Sequence, residues 1–213
     1  GDADGAVTGN TRRFGASLKK ITQVIEGRPG EIMFGLNMVV HKGKTIFVGD
    51  TSVHEYPNAN QLADIAISSA RVVRLFGFDP KVAFVSHSTF GQPLTSRTKH
   101  IKEAVEILKE KKVDFEFDGD MQPDVALNKE YKNLYPFSKI VGNANILIMP
   151  GQHSAAISYK MMKTFGDTKV IGPLLIGLGL PIEIAPLRSS TSEIINLASI
   201  AAYSADVINY KKN

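Results

Sequence analysis

The sequence predicts an α/β fold, and three features carry the prediction. Short apolar, β-prone runs recur at residues 32–40, 45–48, 81–85 and 144–149. Between them lie segments whose apolar residues return every three or four positions, the period of an amphipathic helix. One chain alternating these two patterns builds a sheet covered by helices. The third feature is His41-Lys42-Gly43-Lys44, a turn between the first two runs. It predicts a hairpin, and therefore a mixed sheet.

Residues 2–9 read as a turn and the end of a strand, suggesting a piece of a longer protein. Phe14, Leu18, Ile21 and Ile25 space a helix over residues 11–25, stopped by Gly27-Arg28-Pro29-Gly30. After the hairpin, residues 49–57 form a polar connection. Its Asp50, His54 and Glu55 are either an acid–base cluster or an ordinary surface loop. The clearest helix covers residues 58–76, with an apolar face of Leu62, Ile65, Ala66, Ala70 and Val73. Asn58 or Asn60 caps it and Gly77 closes it.

The run 81–85 then breaks into Ser86-His87-Ser88-Thr89-Phe90-Gly91-Gln92-Pro93. A strand leading through a Ser/Gly loop to a helix is how an open sheet presents a ligand site at its carboxyl edge. Hydroxyls and backbone N–H groups there suit an anion; the plainer reading is a polar connection. A helix follows from about residue 99 and ends in Lys109-Glu110-Lys111-Lys112, where cations complement the helix dipole.

Residues 113–117 alternate polar and apolar, predicting a strand. Asp118-Gly119-Asp120 reads as a turn in preference to a cation site. Residues 121–135 suggest two helical pieces. Residues 144–149 form a buried strand, and residues 150–154 turn into a helix over 155–165. His153, in that turn, touches a ligand or faces solvent. The glycine-rich residues 170–179 lack the spacing of a dinucleotide fingerprint and suit close packing. Ser190 and Glu193 make a capping box before a helix over 194–208. With Arg188 beside it, that helix start is either an anion site or simply well capped.

The 213 residues suffice for one large or two small domains. Without cysteine, disulfides, zinc–thiolate sites and thiol catalysis are excluded. The longest apolar stretch, residues 171–184, is broken by glycines and prolines, so no membrane span is expected. These features suit the cytoplasm. The net charge of +4 is spread along the chain and aromatic content is 8%, a pattern that argues against a nucleic-acid surface.

Several stretches together resemble the phosphate acetyltransferase/butyryltransferase family. They are Pro57-Asn58-Ala59-Asn60-Gln61-Leu62, Pro80-Lys81-Val82-Ala83-Phe84-Val85-Ser86, Ile171-Gly172-Pro173 and Glu193-Ile194-Ile195-Asn196. Phe115-Glu116-Phe117-Asp118-Gly119-Asp120-Met121, Tyr135-Pro136-Phe137-Ser138 and His153-Ser154-Ala155-Ala156 are more narrowly similar to the carboxy-terminal region of bacterial multidomain NADP-dependent malic enzymes.

The resemblance implies a two-lobed, three-layer sandwich of the isocitrate dehydrogenase-like/phosphotransacetylase type with its first lobe truncated. Residues 1–26 and 184–213 would belong to domain one, and residues 27–183 to domain two. It implies a cleft for acetyl-CoA or a related CoA ester, lined by Ser86, Ser88, Thr89, Gly91, Gly172, Pro173, Arg188 and Ser190. It further implies a homo-oligomer, and an upstream malic enzyme domain that holds NADP and a divalent metal; no cofactor is expected in this segment. Family members place a Ser-Arg pair and an Asp before the last helix. Here those positions read Pro186, Leu187 and Glu193, and Arg188 substitutes for the arginine only if the loop shifts by one residue. Loss of the arginine removes charge stabilisation at the transferring group, which predicts binding without turnover. If acyl transfer is retained, Glu193 is the expected base.

Overall fold

The computed structural model describes residues 2–92 and 95–210. Its strands are β1 (Ala6–Gly9), β2 (Phe34–His41), β3 (Lys44–Gly49), β4 (Lys81–Val85), β5 (Glu116–Met121), β6 (Ile146–Ile148), β7 (Thr168–Ile176) and β8 (Ile182–Ala185). Its helices are α1 (Phe14–Ile21), α2 (Ala59–Leu75), α3 (Ser96–Glu110), α4 (Pro123–Leu127), α5 (Lys129–Lys132), α6 (Gln152–Thr164) and α7 (Thr191–Tyr210).

Six strands form one sheet in the order β5-β4-β6-β3-β2-β7. β2 runs antiparallel to both neighbours, and the remaining pairings are parallel. The sheet is therefore mixed, as the hairpin predicts. At that hairpin Lys42 and Gly43 take φ of 47° and 77°, the left-handed pair that suits the twist of a two-residue turn.

The side-chain period of two along β4 divides the core into two layers. Val82 and Phe84 pack with Leu62 and Ile65 of α2 and with Leu108 of α3. Ala83 and Val85 pack on the other face with Met121, Val125 of α4 and Ala155 of α6. Burying a side chain such as Leu62 or Ile65 contributes roughly 1.5–3 kcal/mol. α2 begins where its caps dictate: Asn58 accepts from Gln61 N–H while Gln61 Oε1 accepts from Asn58 N–H, both at 2.9 Å.

Several boundaries differ from expectation, and two of them have clear causes. α3 starts earlier because Thr95 and Thr98 cap it reciprocally. β5 begins inside the alternating run and continues past it to Met121, so Asp118-Gly119-Asp120 is strand rather than turn. Tertiary partners make this possible. Asp118 Oδ2 accepts from Lys139 N–H at 2.7 Å, and Asp120 Oδ2 accepts from the Ser88 hydroxyl. Close packing explains two glycines of the 170–179 stretch. A Cβ at Gly172 would lie 2.9 Å from Leu36 O, and one at Gly177 would lie 2.3 Å from Ile32 O.

β1 and β8 make a separate two-stranded parallel sheet, pairing Ala6 with Ile182 through Gly9 with Ala185. Phe14, Leu18 and Ile21 of α1 pack against Ile182 and Ile184. Ala185 and Leu197 of α7 join the larger core. The expected boundary between residues 183 and 184 falls inside β8. Among the described residues, no helix is long and apolar enough to cross a membrane.

Candidate functional site

A cleft of about 520 Å³ opens where the two sheets meet. The loop after β3 supplies one wall. Asp50, 1% exposed, anchors that loop. Its Oδ1 accepts from Gly35, Ser52 and Val53 N–H, and its Oδ2 from His54 N–H, at 2.7–3.1 Å. Oδ2 also meets His54 Nδ1 at 2.8 Å. The carboxylate is thus used up in shaping the loop, which brings Thr51 and Ser52 to the cleft. Glu55 is not part of this cluster; it faces outward and meets His153 Nε2 at 3.2 Å. His153 also stacks on Tyr56 and is 71% exposed at its side chain.

α6 forms the second wall, presenting Gln152, Ala156, Tyr159, Lys160 and Lys163. Burial raises the Tyr159 phenol above its ordinary value, so the hydroxyl stays neutral and can donate. Gly172 and Pro173 of β7 close the floor. Arg13, Phe14 and Gly15 at the start of α1 face them with Pro186, Leu187 and Glu193. No side chain caps α1, and the space around Gly15 is open. The Ala16 and Ser17 amides donate to Arg13 O at 3.1 and 3.2 Å, which leaves those of Phe14 and Gly15 available to an anion. Arg13, Lys160 and Lys163 set three cations against one carboxylate.

Glu193 is held on both sides. Ser190 N–H and Oγ–H donate to its Oε2 at 2.8 and 3.0 Å, completing the predicted capping box. Lys163 Nζ donates to Oε1 at 2.6 Å. The Lys163 bond first, then the Ser190 amide, hold the carboxyl below its usual range. A carboxylate so stabilised is a weak base.

Of the residues expected in a ligand cleft, Gly172, Pro173 and Glu193 line this one. Ser190 acts on it through Glu193. Arg188 is exposed, with φ of 62°, and its backbone N–H donates to Asn10 O at 3.1 Å. The loop holding Ser86, Ser88, Thr89 and Gly91 lies elsewhere. Ser86 Oγ sits 3.2 Å from Ser88 Oγ, whose hydroxyl donates to the fully buried Asp120. Thr89 Oγ1 accepts from Gln122 N–H at 3.2 Å, and Lys102 covers Gly91. Pro93 lies outside the described residues. β4 is two strands away from β3 in the sheet, so Ser86 and Ser88 lie apart from the cleft that Thr51 and Ser52 line.

Sequence reading missed Thr51, Ser52, Tyr159, Lys160 and Lys163, and left Arg13 unassigned. The signal was present in part: Thr51 and Ser52 also follow a strand, and Ala156, Tyr159, Lys160 and Lys163 share one helix face by spacing. Among the described residues no group of three or more His, Asp or Glu side chains is placed to hold a metal.

Residues 1–202 match the phosphate acetyl/butaryl transferase family, and the chain belongs to it. It is 45% identical over 205 residues to an NADP-dependent malic enzyme of Rhizobium meliloti, covering 96% of this chain and 27% of that protein. It is 34% identical to a phosphate acetyltransferase of Clostridium acetobutylicum, covering 96% of this chain and 64% of that one. Its fold superposes on a phosphotransacetylase from Streptococcus pyogenes with a TM-score of 0.89 at 31% identity, over 95% of this chain and 63% of that one. The chain thus spans about a quarter of the length of the malic enzyme that it matches.

Proposed function

We propose that this chain is the phosphotransacetylase-like segment of an NADP-dependent malic enzyme, and that its cleft binds acetyl-CoA or a related CoA ester without turning it over. The bound ester regulates oxidative decarboxylation of malate to pyruvate in another part of the protein, where NADP and a divalent metal belong. One observation carries the reading: the cleft keeps cations and free helix amides for a polyanion, yet it is lined by Pro186 and Leu187, the positions where the resemblance implies a Ser-Arg pair. Binding groups are present and the charge expected to stabilise acyl transfer is absent.

The ion-paired Glu193 supports the same conclusion. A thiol has an ordinary pKa of about 8.5, and a carboxylate held below its usual range by Lys163 is poorly matched to deprotonate it. The alternative, an active phosphate acetyltransferase, draws on Arg13, Lys160 and Lys163 as phosphate ligands with Glu193 as base. A homo-oligomer is part of the proposal, supported by the exposed apolar side chains of Ile157 and Met161 on α6 and of Phe165 at its C-cap. So is a cytoplasmic location.

The test uses the full-length protein. Acetyl-CoA formation from acetyl phosphate and CoA is assayed beside malate decarboxylation during an acetyl-CoA titration. The proposal expects a saturable change in decarboxylation, lost in Arg13→Ser, with no acetyl transfer. Acetyl transfer at an ordinary enzymatic rate, about 1–1000 turnovers per second, would establish the alternative, and an acetyl-CoA titration without effect on decarboxylation would remove the regulatory role.

A further inference from the structure

Away from the cleft, Glu183 of β8 is a carboxyl group only 4% exposed. Its Oε2 accepts from Leu175 N–H at 2.9 Å. Its Oε1 has no hydrogen-bond partner among the described residues, and the side chain faces a cavity of about 230 Å³ between α2, α7, β7 and β8. Burial pushes the carboxyl up to about 8, against the opposing pull of the Leu175 amide. At neutral pH it therefore carries a proton and offers an O–H to the cavity.

The walls above it are aliphatic: Val72, Leu174, Ile176 and Ile200. The mouth is different. Arg71 makes a bidentate pair with Glu31 at 2.6 and 2.7 Å. Arg28 lies 3.9 Å from the same carboxylate, too far for a hydrogen bond. Its guanidinium makes no hydrogen bond among the described residues and keeps its donors for another acceptor. Two guanidiniums and one carboxylate leave the mouth positive.

We infer that this cavity is a second ligand site, for a short-chain organic acid whose carboxylate meets Arg28 at the mouth and whose carbonyl or hydroxyl oxygen accepts from Glu183 at the base. A cationic ligand is repelled at the mouth. A purely aliphatic one leaves the Glu183 O–H without an acceptor, and a buried polar group without a partner is costly. A short aliphatic chain between two acceptors satisfies both ends and the walls. The site shares no residue with the cleft, so the proposal stands apart from the CoA-ester reading.

The probe is 4-oxopentanoate, titrated calorimetrically into the full-length protein. One saturable site is expected at pH 7, weakened at least about tenfold by Arg28→Gln through loss of a charge-assisted bond. The other titratable or charged groups lining the cavity are Arg28, Glu31, Arg71 and Tyr203. Affinity should fall between pH 7 and pH 9 as Glu183 ionises. Glu183→Gln, which keeps a neutral donor, should bind throughout that range. A pH decline that persists in Glu183→Gln assigns the effect to another group and overturns the role of Glu183. Failure of the native protein to bind, tighter binding of pentylammonium, or loss of binding in the cleft variant Arg13→Ser overturns the site.

Discussion

Lys163 Nζ and Glu193 Oε1, 2.6 Å apart, join α6 to α7 across the cleft. One partner belongs to the helix covering the large sheet, the other to the first turn of the helix packed on the small one. The bond fixes the charge of Glu193 and spans the space that a ligand would enter.

Lys163→Met should return the Glu193 carboxyl toward its ordinary value, measured by its NMR titration. The folded-state pKa is depressed, so the stability linked to it is present above the unfolded value of 4.5 and is lost as pH falls through the folded value. The stability difference between native protein and variant should therefore appear above that pH and vanish in acid. With Lys163 half exposed, it should not exceed about 1 kcal/mol. An unshifted Glu193 titration in the variant would contradict the assignment.

Glu183 has the opposite sign. Its folded pKa of about 8 lies above the unfolded value of 4.5, so the folded state holds a proton that the unfolded state has released. Stability should fall as pH rises across that interval, by about 1.4 kcal/mol per unit for this group. Glu183→Gln should remove that slope and be the more stable protein at pH 8. Urea unfolding across pH 4–9 measures it; parallel curves for the two proteins would refute it.

Asp50 is the organising group of the loop after β3. Asp50→Ala leaves four backbone amides without their acceptor, and should cost about 3–5 kcal/mol. Asp50→Asn keeps one acceptor oxygen and should cost less. Denaturant midpoints decide, and a cost below 1 kcal/mol for alanine would show that Thr51 and Ser52 are held by other means.

Ser88 is the sole donor to the Asp120 side chain among the described residues; Asp120 Oδ1 is buried without a partner. Ser88→Ala should destabilise the protein by about 1–3 kcal/mol, the cost of an unsatisfied buried acceptor. Decarboxylation and ester binding in the full-length protein should be unaffected if this loop is structural. Loss of ester binding at unchanged stability would restore it to the ligand site.

Local signals made much of the fold legible. α2 is bracketed by its own caps at Asn58 and Gln61, and β4 by a short apolar run between turns. β5 was displaced because its carboxylates are satisfied by Ser88 and by the Lys139 amide, both distant in sequence. The candidate site was less legible for the same reason. Sequence shows that several loops follow strands, but only the order of strands in the sheet shows which of those loops meets α1 and α7. Lysines 160 and 163 look like any solvated helix face until Glu193 is placed opposite them. Glu193 itself was legible because its capping box is local.

The pairing of β1 with β8 joins residues 6–9 to residues 182–185, so closing that sheet carries one of the largest loop entropies in the fold. Such a unit is expected to open before the hairpin of β2 and β3, and its amides should exchange with solvent first. Equal protection of both sheets would contradict this. Arg13 and Glu193 both ride on the smaller unit. The cleft can then be dismantled and rebuilt by a partial opening that leaves the six-stranded sheet intact, and ligand occupancy should be read most sharply in the exchange rates of β1.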